Sequence, residues 1–228
     1  MSTTAPPTLA GYVSRMEKFA EWCRGKSVLH LGCSSGRYIE DRLARGTFLH
    51  ELLRKEARHL AGLDLDAESL RKMGGMGYAN LYHGNAERLD EAGIAGPFDV
   101  IVAGDLLEHI TRPGAMLDTA RPLLGPQGKL IISTNNAFGL HYQIKRWLGR
   151  YSEHFEHVCF YSPETLVHLF ERHGYRIAAL YGAFTVPPHS AMQKLQFALG
   201  SPLFRLFPVL AGTLIVVAAA AAAEAARG

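Results

Sequence analysis

Cysteine is scarce in this 228-residue chain: Cys23, Cys33 and Cys159 are too few and too scattered for a disulfide framework, and no Cys-x-x-Cys pair offers half a zinc site. A reducing compartment follows, and a cytoplasmic location is expected. Charge of one sign is lacking as well. The 24 basic residues stand against 21 acidic ones, a formal +3, well short of the basic field that a nucleic-acid binder carries. Residues Met1–Thr8 have neither a basic start nor an apolar core, so no signal peptide is expected. Long hydrophobic runs are absent but for one. Leu206–Ala223 reaches 18 uncharged residues, the lower limit for a membrane span. Pro208 and Gly212 interrupt it, its second half is mostly alanine, and Leu214–Ala218 is β-branched. It reads as a last core strand followed by an alanine-rich tail, not as a span.

What is present is an alternation of apolar runs and helical patterns. At 48% hydrophobic residues the chain can bury a sizeable core. Strands are expected at Lys26–Leu31, Ala61–Leu65, Leu81–His83, Phe98–Ala103, Gly128–Thr134, Tyr175–Leu180 and Leu214–Ala218. Helical stretches lie between them, with Arg37–Leu60 split at Gly46. That rhythm predicts an α/β fold, a Rossmann-like, seven-stranded, mainly parallel sheet with an antiparallel C-terminal strand. The organisation expected is one domain over 1–228: an N-terminal helix at 9–25, a core at 26–134, an irregular segment at 135–161, a helix and the last strands at 162–218, and the tail at 219–228.

Chemistry-bearing residues gather at the expected carboxyl ends of the strands, where open parallel sheets bind ligands. The first strand runs into Gly32-Cys-Ser-Ser-Gly36, whose small residues let a ligand approach the backbone. The loop lacks the glycine spacing of a dinucleotide site, and no Gly-Lys-Ser/Thr follows it to make a Walker loop. The second strand closes on Asp64, a carboxylate able to accept from both hydroxyls of a ribose, whereas Asp66 before Glu68 reads as a helix cap. After the third strand, Asn85 and Ala86 offer an amide and a backbone N–H to an adenine edge, or else Asn85 caps a turn.

In this order, Val28–Arg37, Gly62–Asp66, Gly84–Glu87, Phe98–His109 and Pro122–Asn135 resemble the successive motifs of class I S-adenosylmethionine-dependent methyltransferases, over roughly residues 20–180. The nearest likeness is to the Leu-Glu-His-containing enzymes of ubiquinone, natural-product and glycan methylation. The resemblance implies S-adenosylmethionine as cofactor and S-adenosylhomocysteine as product. Gly32, Cys33, Ser34 and Gly36 would line the methionine part, Asp64 and Leu65 the ribose, Asn85 and Ala86 the adenine, and Asp105 and Leu106 the floor near the sulfonium. The sequence departs from the family at His30, where an acid is usual, at Ser34, where glycine is usual, and at Asn85, where aspartate is usual. Gly46–Leu53 also reads as an insertion that brings His50 toward the cofactor edge.

A hydroxyl acceptor must lose a proton, so a base is wanted. His109 is the first candidate, with His157 and His154 of the irregular segment next; Glu108 and His109 could equally orient the loop. Asp105, Glu108 and His109 form a short-spaced cluster that suggests magnesium only weakly, and no obligatory metal is expected. The basic, aromatic stretch Tyr142–Arg150 reads as a solvated lid helix with its aromatics packed inward, leaving room for peripheral membrane contact. Phe197, Leu203, Phe204, Leu206 and Phe207 could add an apolar acceptor tunnel. The acceptor implied is a small molecule or glycan, methylated at oxygen before nitrogen. Nucleic acid is not expected, since Gly104-Asp-Leu-Leu107 stands where an Asn/Asp-Pro-Pro-Tyr/Phe motif would. A catalytically impaired cofactor-binding or scaffold protein of the same fold is the alternative.

Overall fold

A computed structural model describes residues 7–150, 154–185 and 191–221. Eight strands form one sheet: β1 (Tyr12–Ser14), β2 (Ser27–Leu31), β3 (His59–Asp64), β4 (Leu81–His83), β5 (Phe98–Gly104), β6 (Leu124–Asn135), β7 (Tyr175–Phe184) and β8 (Thr213–Ala220), in the spatial order β1-β7-β8-β6-β5-β2-β3-β4. Seven run parallel. β8 alone is reversed and pairs antiparallel with both β6 and β7. The expected antiparallel C-terminal strand is therefore present, and the run 206–223 holds a core strand whose residues Thr213–Ala218 are buried. Residues 222–228, the rest of the expected tail, lie outside the described residues.

The eighth strand is the one that the sequence does not announce. The stretch expected to be helical from residue 9 begins with β1, which lies parallel to the edge of β7, and α1 (Arg15–Cys23) starts only after Ser14. The Ser14 hydroxyl accepts from the Glu17 N–H at 3.4 Å as the helix cap.

Both faces of the sheet are covered, which is why its central strands carry apolar residues on both sides. Leu29 and Leu31 of β2 point with Ala61, Leu63, Ile101 and Ala103 toward α5 (Pro113–Ala120) and α7 (Pro163–Arg172), which present Met116, Leu117, Leu166 and Phe170. Val28, Val100 and Val102 point the other way, onto Phe19 and Cys23 of α1 and Leu49 and Leu53 of α3 (Leu49–Glu56). Between them, α2 (Ile39–Ala44) and α3 are the two halves that Gly46, at φ +65°, separates. Asp66 caps α4 (Ala67–Gly75) as expected, accepting from the Glu68 and Ser69 N–H groups. Ser162 and Thr165 cap α7 reciprocally.

In the irregular segment, α6 (Leu140–Trp147) buries none of its residues. Tyr142 turns to Phe160 at 5.6 Å, but Ile144, Trp147 and Leu148 face solvent, Trp147 at 78% exposure. The inward packing expected of this helix is not what forms: Asn136–Gly139 tie its start to the edge of the sheet and leave its far end overhanging. Neither do the late apolar residues make a tunnel. On α8 (Ala191–Leu206), Phe197 packs on Phe184 at 4.8 Å and Phe204 on Tyr12 at 5.3 Å, covering β1, while Leu203, Leu206 and Phe207 are exposed. Among the described residues no helix is long and apolar enough to cross a membrane.

Candidate active site

Strand order reverses at β2, whose neighbours are β5 on one side and β3 on the other. Such a reversal opens a crevice beyond the carboxyl ends of the strands. Gly32, at φ +67°, turns the chain out of β2, and its N–H and that of Cys33 bond the Leu63 carbonyl at 2.9 and 3.1 Å. A side chain at Gly32 would meet Leu106 at 3.2 Å, so Leu106 from beyond β5 closes over the loop. Asp64 holds the loop from β3: one carboxylate oxygen accepts from the Ser34 N–H at 2.8 Å, the other from the Asp66 N–H at 3.0 Å. The loop and Asp64 are thus brought together as expected. Leu65 is exposed just beyond.

Across the crevice, Asp105 leaves β5 with φ +53°, a conformation that non-glycine residues seldom hold unaided. It is held by Ser133 of β6. The Asp105 N–H bonds the Ser133 carbonyl at 3.0 Å, and the Ser133 hydroxyl donates to the Asp105 carboxylate at 2.8 Å. Arg15 at the start of α1 ion-pairs with the same carboxylate. Burial works against ionisation of Asp105, but the Arg15 charge and the Ser133 hydroxyl outweigh it and hold the carboxyl below its usual range. Sequence reasoning missed Arg15. The signal was there, since Arg15 lies four residues before Phe19 on the buried stripe of α1.

At the floor lie two buried histidines. His30 of β2 and His50 of α3 stack at 15°, with their Nδ1 atoms 3.1 Å apart, so one ring donates to the other. Burial lowers both, His50 to about 4 and His30 well below the ordinary imidazole value, with the neighbouring His50 and Arg15 adding to the effect on His30. The pair is neutral at physiological pH. His30 Nε2 is buried without a hydrogen-bond partner among the described residues, an arrangement that costs free energy unless a ligand meets it. Arg15, His30, Gly32, Ser34, His50 and Asp105 line a cleft of about 290 Å³, counting the space at its mouth, with Arg42 at the rim. The segment 46–53 does carry His50 to this site.

Beyond Leu106 the chain makes a 3₁₀ turn, Leu107–His109. Glu108 is 1% exposed and accepts from the Thr134 hydroxyl at 2.8 Å. Burial, then the Asp105 charge, push its carboxyl up to about 7. His109 is half-buried, and burial followed by the adjacent His157 lowers its pKa. The His109 and His157 rings lie 4.8 Å apart, edge to face, with His154 at 6.1 Å from His109 and 5.4 Å from His157. All three candidate histidines are therefore brought together. The Val158 and Cys159 N–H groups bond the Glu108 carbonyl at 2.8 and 3.3 Å, fastening the irregular segment to the turn.

Asn85 takes the capping role that the sequence left open: its side-chain oxygen accepts from the Glu87 N–H at 2.9 Å, beside the buried Ala86. Glu87, unforeseen, receives the Thr111 and Arg112 N–H groups at 2.8 and 2.9 Å and the Arg112 Nε at 3.1 Å. It clamps the chain just after His109. Burial opposes its ionisation, but these donors hold its carboxyl below the usual range.

A family model described as a methyltransferase domain matches residues 8–180. The ubiquinone biosynthesis O-methyltransferase of Psychrobacter cryohalolentis is 31% identical over 141 residues, 55% of this chain and 48% of that protein. Its counterpart in Aromatoleum aromaticum is 27% identical over 176 residues, 69% of this chain and 67% of that one. The chain spans about half the length of most such relatives. Among solved structures, a SAM-dependent methyltransferase from Archaeoglobus fulgidus superposes with a TM-score of 0.60 at 18% identity, covering 90% of each chain. The magnesium protoporphyrin IX methyltransferase of Synechocystis, with bound SAH, superposes at 0.56 and 14% identity, over 91% of this chain and 82% of that one. At those identities the likeness is one of fold.

Proposed function

The chain belongs to the methyltransferase-domain family, and on that premise we propose that it transfers a methyl group from S-adenosylmethionine to a hydroxyl of a small-molecule or glycan acceptor. The observation that carries this reading is the crevice between β2 and β5. There a small-residue loop held by the Asp64 carboxylate faces Asp105, whose charge reaches Glu108 of a cluster able to take a proton.

The residues present fit the cofactor. Gly32 leaves a cradle that a Cβ would fill, and the buried, unpartnered His30 Nε2 lies at the floor of the cleft. Gly32, Cys33, Ser34 and Gly36 would hold the methionine part. His30 would take over the place of the family's acid: with its Nδ1–H donated to His50, its Nε2 presents a lone pair to an amino group. Arg42 at the rim is suited to the carboxylate. Asp64 and Leu65 would meet the ribose, Asn85 (through the amide N–H groups that its capping oxygen leaves over) and Ala86 the adenine, and Asp105 and Leu106 the region of the sulfur. When bound, the cofactor supplies a sulfonium methyl open to in-line attack.

The chain's own task is then to position the acceptor and move its proton. Oxygen is favoured as acceptor atom because Glu108, His109 and His157 make a proton-accepting group beside the crevice, and the lowered pKa of His109 keeps it neutral at rest. His154 would assist from the segment 135–161, which would serve as lid. The ubiquinone-pathway relatives point to a phenolic acceptor as the first class to try.

The test is methyl transfer from labelled S-adenosylmethionine to a panel of phenols, catechols and glycans. S-adenosylhomocysteine should form with a hydroxyl acceptor, and His109→Ala should lower kcat about 10²-fold or more. Cofactor binding with no turnover on any acceptor would favour the alternative, a cofactor-binding protein without catalysis.

A further inference from the structure

We propose that His50 is a positioning residue for the cofactor: it takes the Nδ1 hydrogen of His30 and so keeps the His30 Nε2 lone pair available to the α-ammonium group of S-adenosylmethionine. Two uncharged rings then do what a carboxylate would, and the cleft prefers nucleosides that carry the ammonium group. This role rests on the reading of the crevice as a cofactor site and deepens it, giving α3 a part in the choice of ligand.

The sheet places the ring that would meet the ligand. His30 is buried at the last position but one of β2, between Gly62 of β3 and Val102 of β5. It shares a strand face with Val28, and α1 and α3 cover that face. His50, in the first turn of α3, meets it there with 3.1 Å between the two Nδ1 atoms. A neutral imidazole carries one hydrogen, so the two ends of the His30 ring are linked. If His30 gives its hydrogen to His50, its Nε2 is bare and can only accept. If His50 is the donor, His30 Nε2 bears the hydrogen and can only donate. The partner at Nδ1 therefore decides what Nε2 binds.

The His50 ring has little freedom to leave this contact. A Cβ on Gly62 would lie 2.8 Å from its Cε1, and the Tyr78 ring stands edge-on to it at 5.5 Å, with Phe48 at 6.2 Å. Tyr78 is itself anchored, its hydroxyl donating to Glu51 at 2.9 Å. The charges about the pair are Arg15 of α1 with Asp105 from the end of β5, Arg42 of α2, and Glu51 and Arg54 of α3; Cys33 and Tyr78 are the uncharged titratable neighbours. Among the described residues no carboxylate is bonded to either ring. Asp105 is engaged by Arg15 and Ser133, and Glu51 by Arg54, Lys55 and Tyr78. The carboxylate of an amino-acid ligand has the Arg42 guanidinium to meet, whereas its ammonium group needs an acceptor. The His30 lone pair is one, and an ionised donor makes the bond strong even to an uncharged acceptor.

The experiment is calorimetric comparison, on the full chain, of S-adenosylhomocysteine with its deaminated analogue, in which hydrogen replaces the amino group. The wild type should bind the amino form about tenfold or more tightly. In His50→Leu that preference should fall to within about twofold, with the deaminated analogue bound as in the wild type. His50→Asn, whose side-chain oxygen can accept the His30 hydrogen, should restore it. General damage to the cleft would weaken both ligands alike, so the ratio and not the affinity reads the positioning. The preference should also persist from about pH 8 down to about 5.5, because the rings stay uncharged where an ordinary imidazole would have taken a proton and repelled the ammonium. In the wild type with S-adenosylhomocysteine bound, the nitrogen resonances of His30 should show hydrogen on Nδ1 and none on Nε2. Equal affinity of the wild type for the two nucleosides, an undiminished preference in His50→Leu, or hydrogen on Nε2 in the complex would each overturn the role of His50 and leave the cofactor site standing. Binding of neither nucleoside by the folded wild type would overturn the cofactor reading, and this role with it.

Discussion

Arg15 and Asp105 meet across 90 positions of sequence, and each is costly to leave alone. The Arg15 side chain is 6% exposed and that of Asp105 37%, so removing the cation strands a carboxylate that water only partly reaches. Arg15→Met is expected to cost about 2–3 kcal/mol, less than the 3–5 of a fully buried broken pair, and to lower Tm by about 5–10 °C in thermal melts. At the same scale His50 gives the chain a pH signature. Its folded pKa, about 4, lies below the 6.5 of an unfolded imidazole, so the unfolded state binds the extra proton between those values. Stability is therefore full above pH 6.5 and declines as pH falls toward 4, by roughly 3 kcal/mol from this one group. Melting curves from pH 7.5 to 4.5 should show a shallower decline for His50→Leu than for the wild type; an unchanged slope would mean that His50 is not held neutral. What the sequence could show at this scale was residue type and local spacing. It marked Gly32, Asp64 and His109. It was silent on the pairing of His30 with His50 and on the gathering of Glu108 with His157, because those contacts depend on how separate segments pack.

At the scale of elements, α3 brings His50 and Leu49 against the sheet, and two glycines make room for it. A Cβ at Gly62 of β3 would lie 2.7 Å from Cys33 Sγ and 2.8 Å from His50 Cε1, and one at Gly104 would lie 2.6 Å from Leu49. Gly62→Ala is expected to destabilise by about 1–3 kcal/mol through overpacking, read as a lower denaturant midpoint, and to disturb the cleft floor. Gly74→Ala is the contrast. It lies in α4 with nothing within 4 Å of the added carbon, and a gain of a few tenths to about 1 kcal/mol is expected from the lower entropy of the unfolded chain. The central strands were legible because a strand buried on both faces reads as a nearly unbroken apolar run, as Val100–Ala103 does and as Val28–Leu31 does but for His30. β1 was not. Three residues on a sheet edge carry no period of their own, and Tyr12–Ser14 merges by composition into the helix that follows. The outward face of α6 was misread for a related reason: its apolar stripe has helical spacing, and spacing alone cannot say whether a neighbour exists to cover it.

For the whole molecule, strand order is what turns scattered residues into a site. Because β2 stands between β5 and β3, the Gly32 loop, Asp64 and Asp105 reach one crevice although 32 and 105 are far apart in sequence. The reversed β8 then fills the space between β6 and β7, so that the sheet continues past the crevice and carries the segment fastened to Glu108. The central claim is that this crevice is a cofactor site. Calorimetric titration of the purified chain with S-adenosylhomocysteine tests it most directly, with Asp64→Ala alongside. One equivalent bound at micromolar affinity, weakened at least about tenfold by the substitution, is the predicted result. No binding by the folded wild type, or equal affinity in Asp64→Ala, would contradict it.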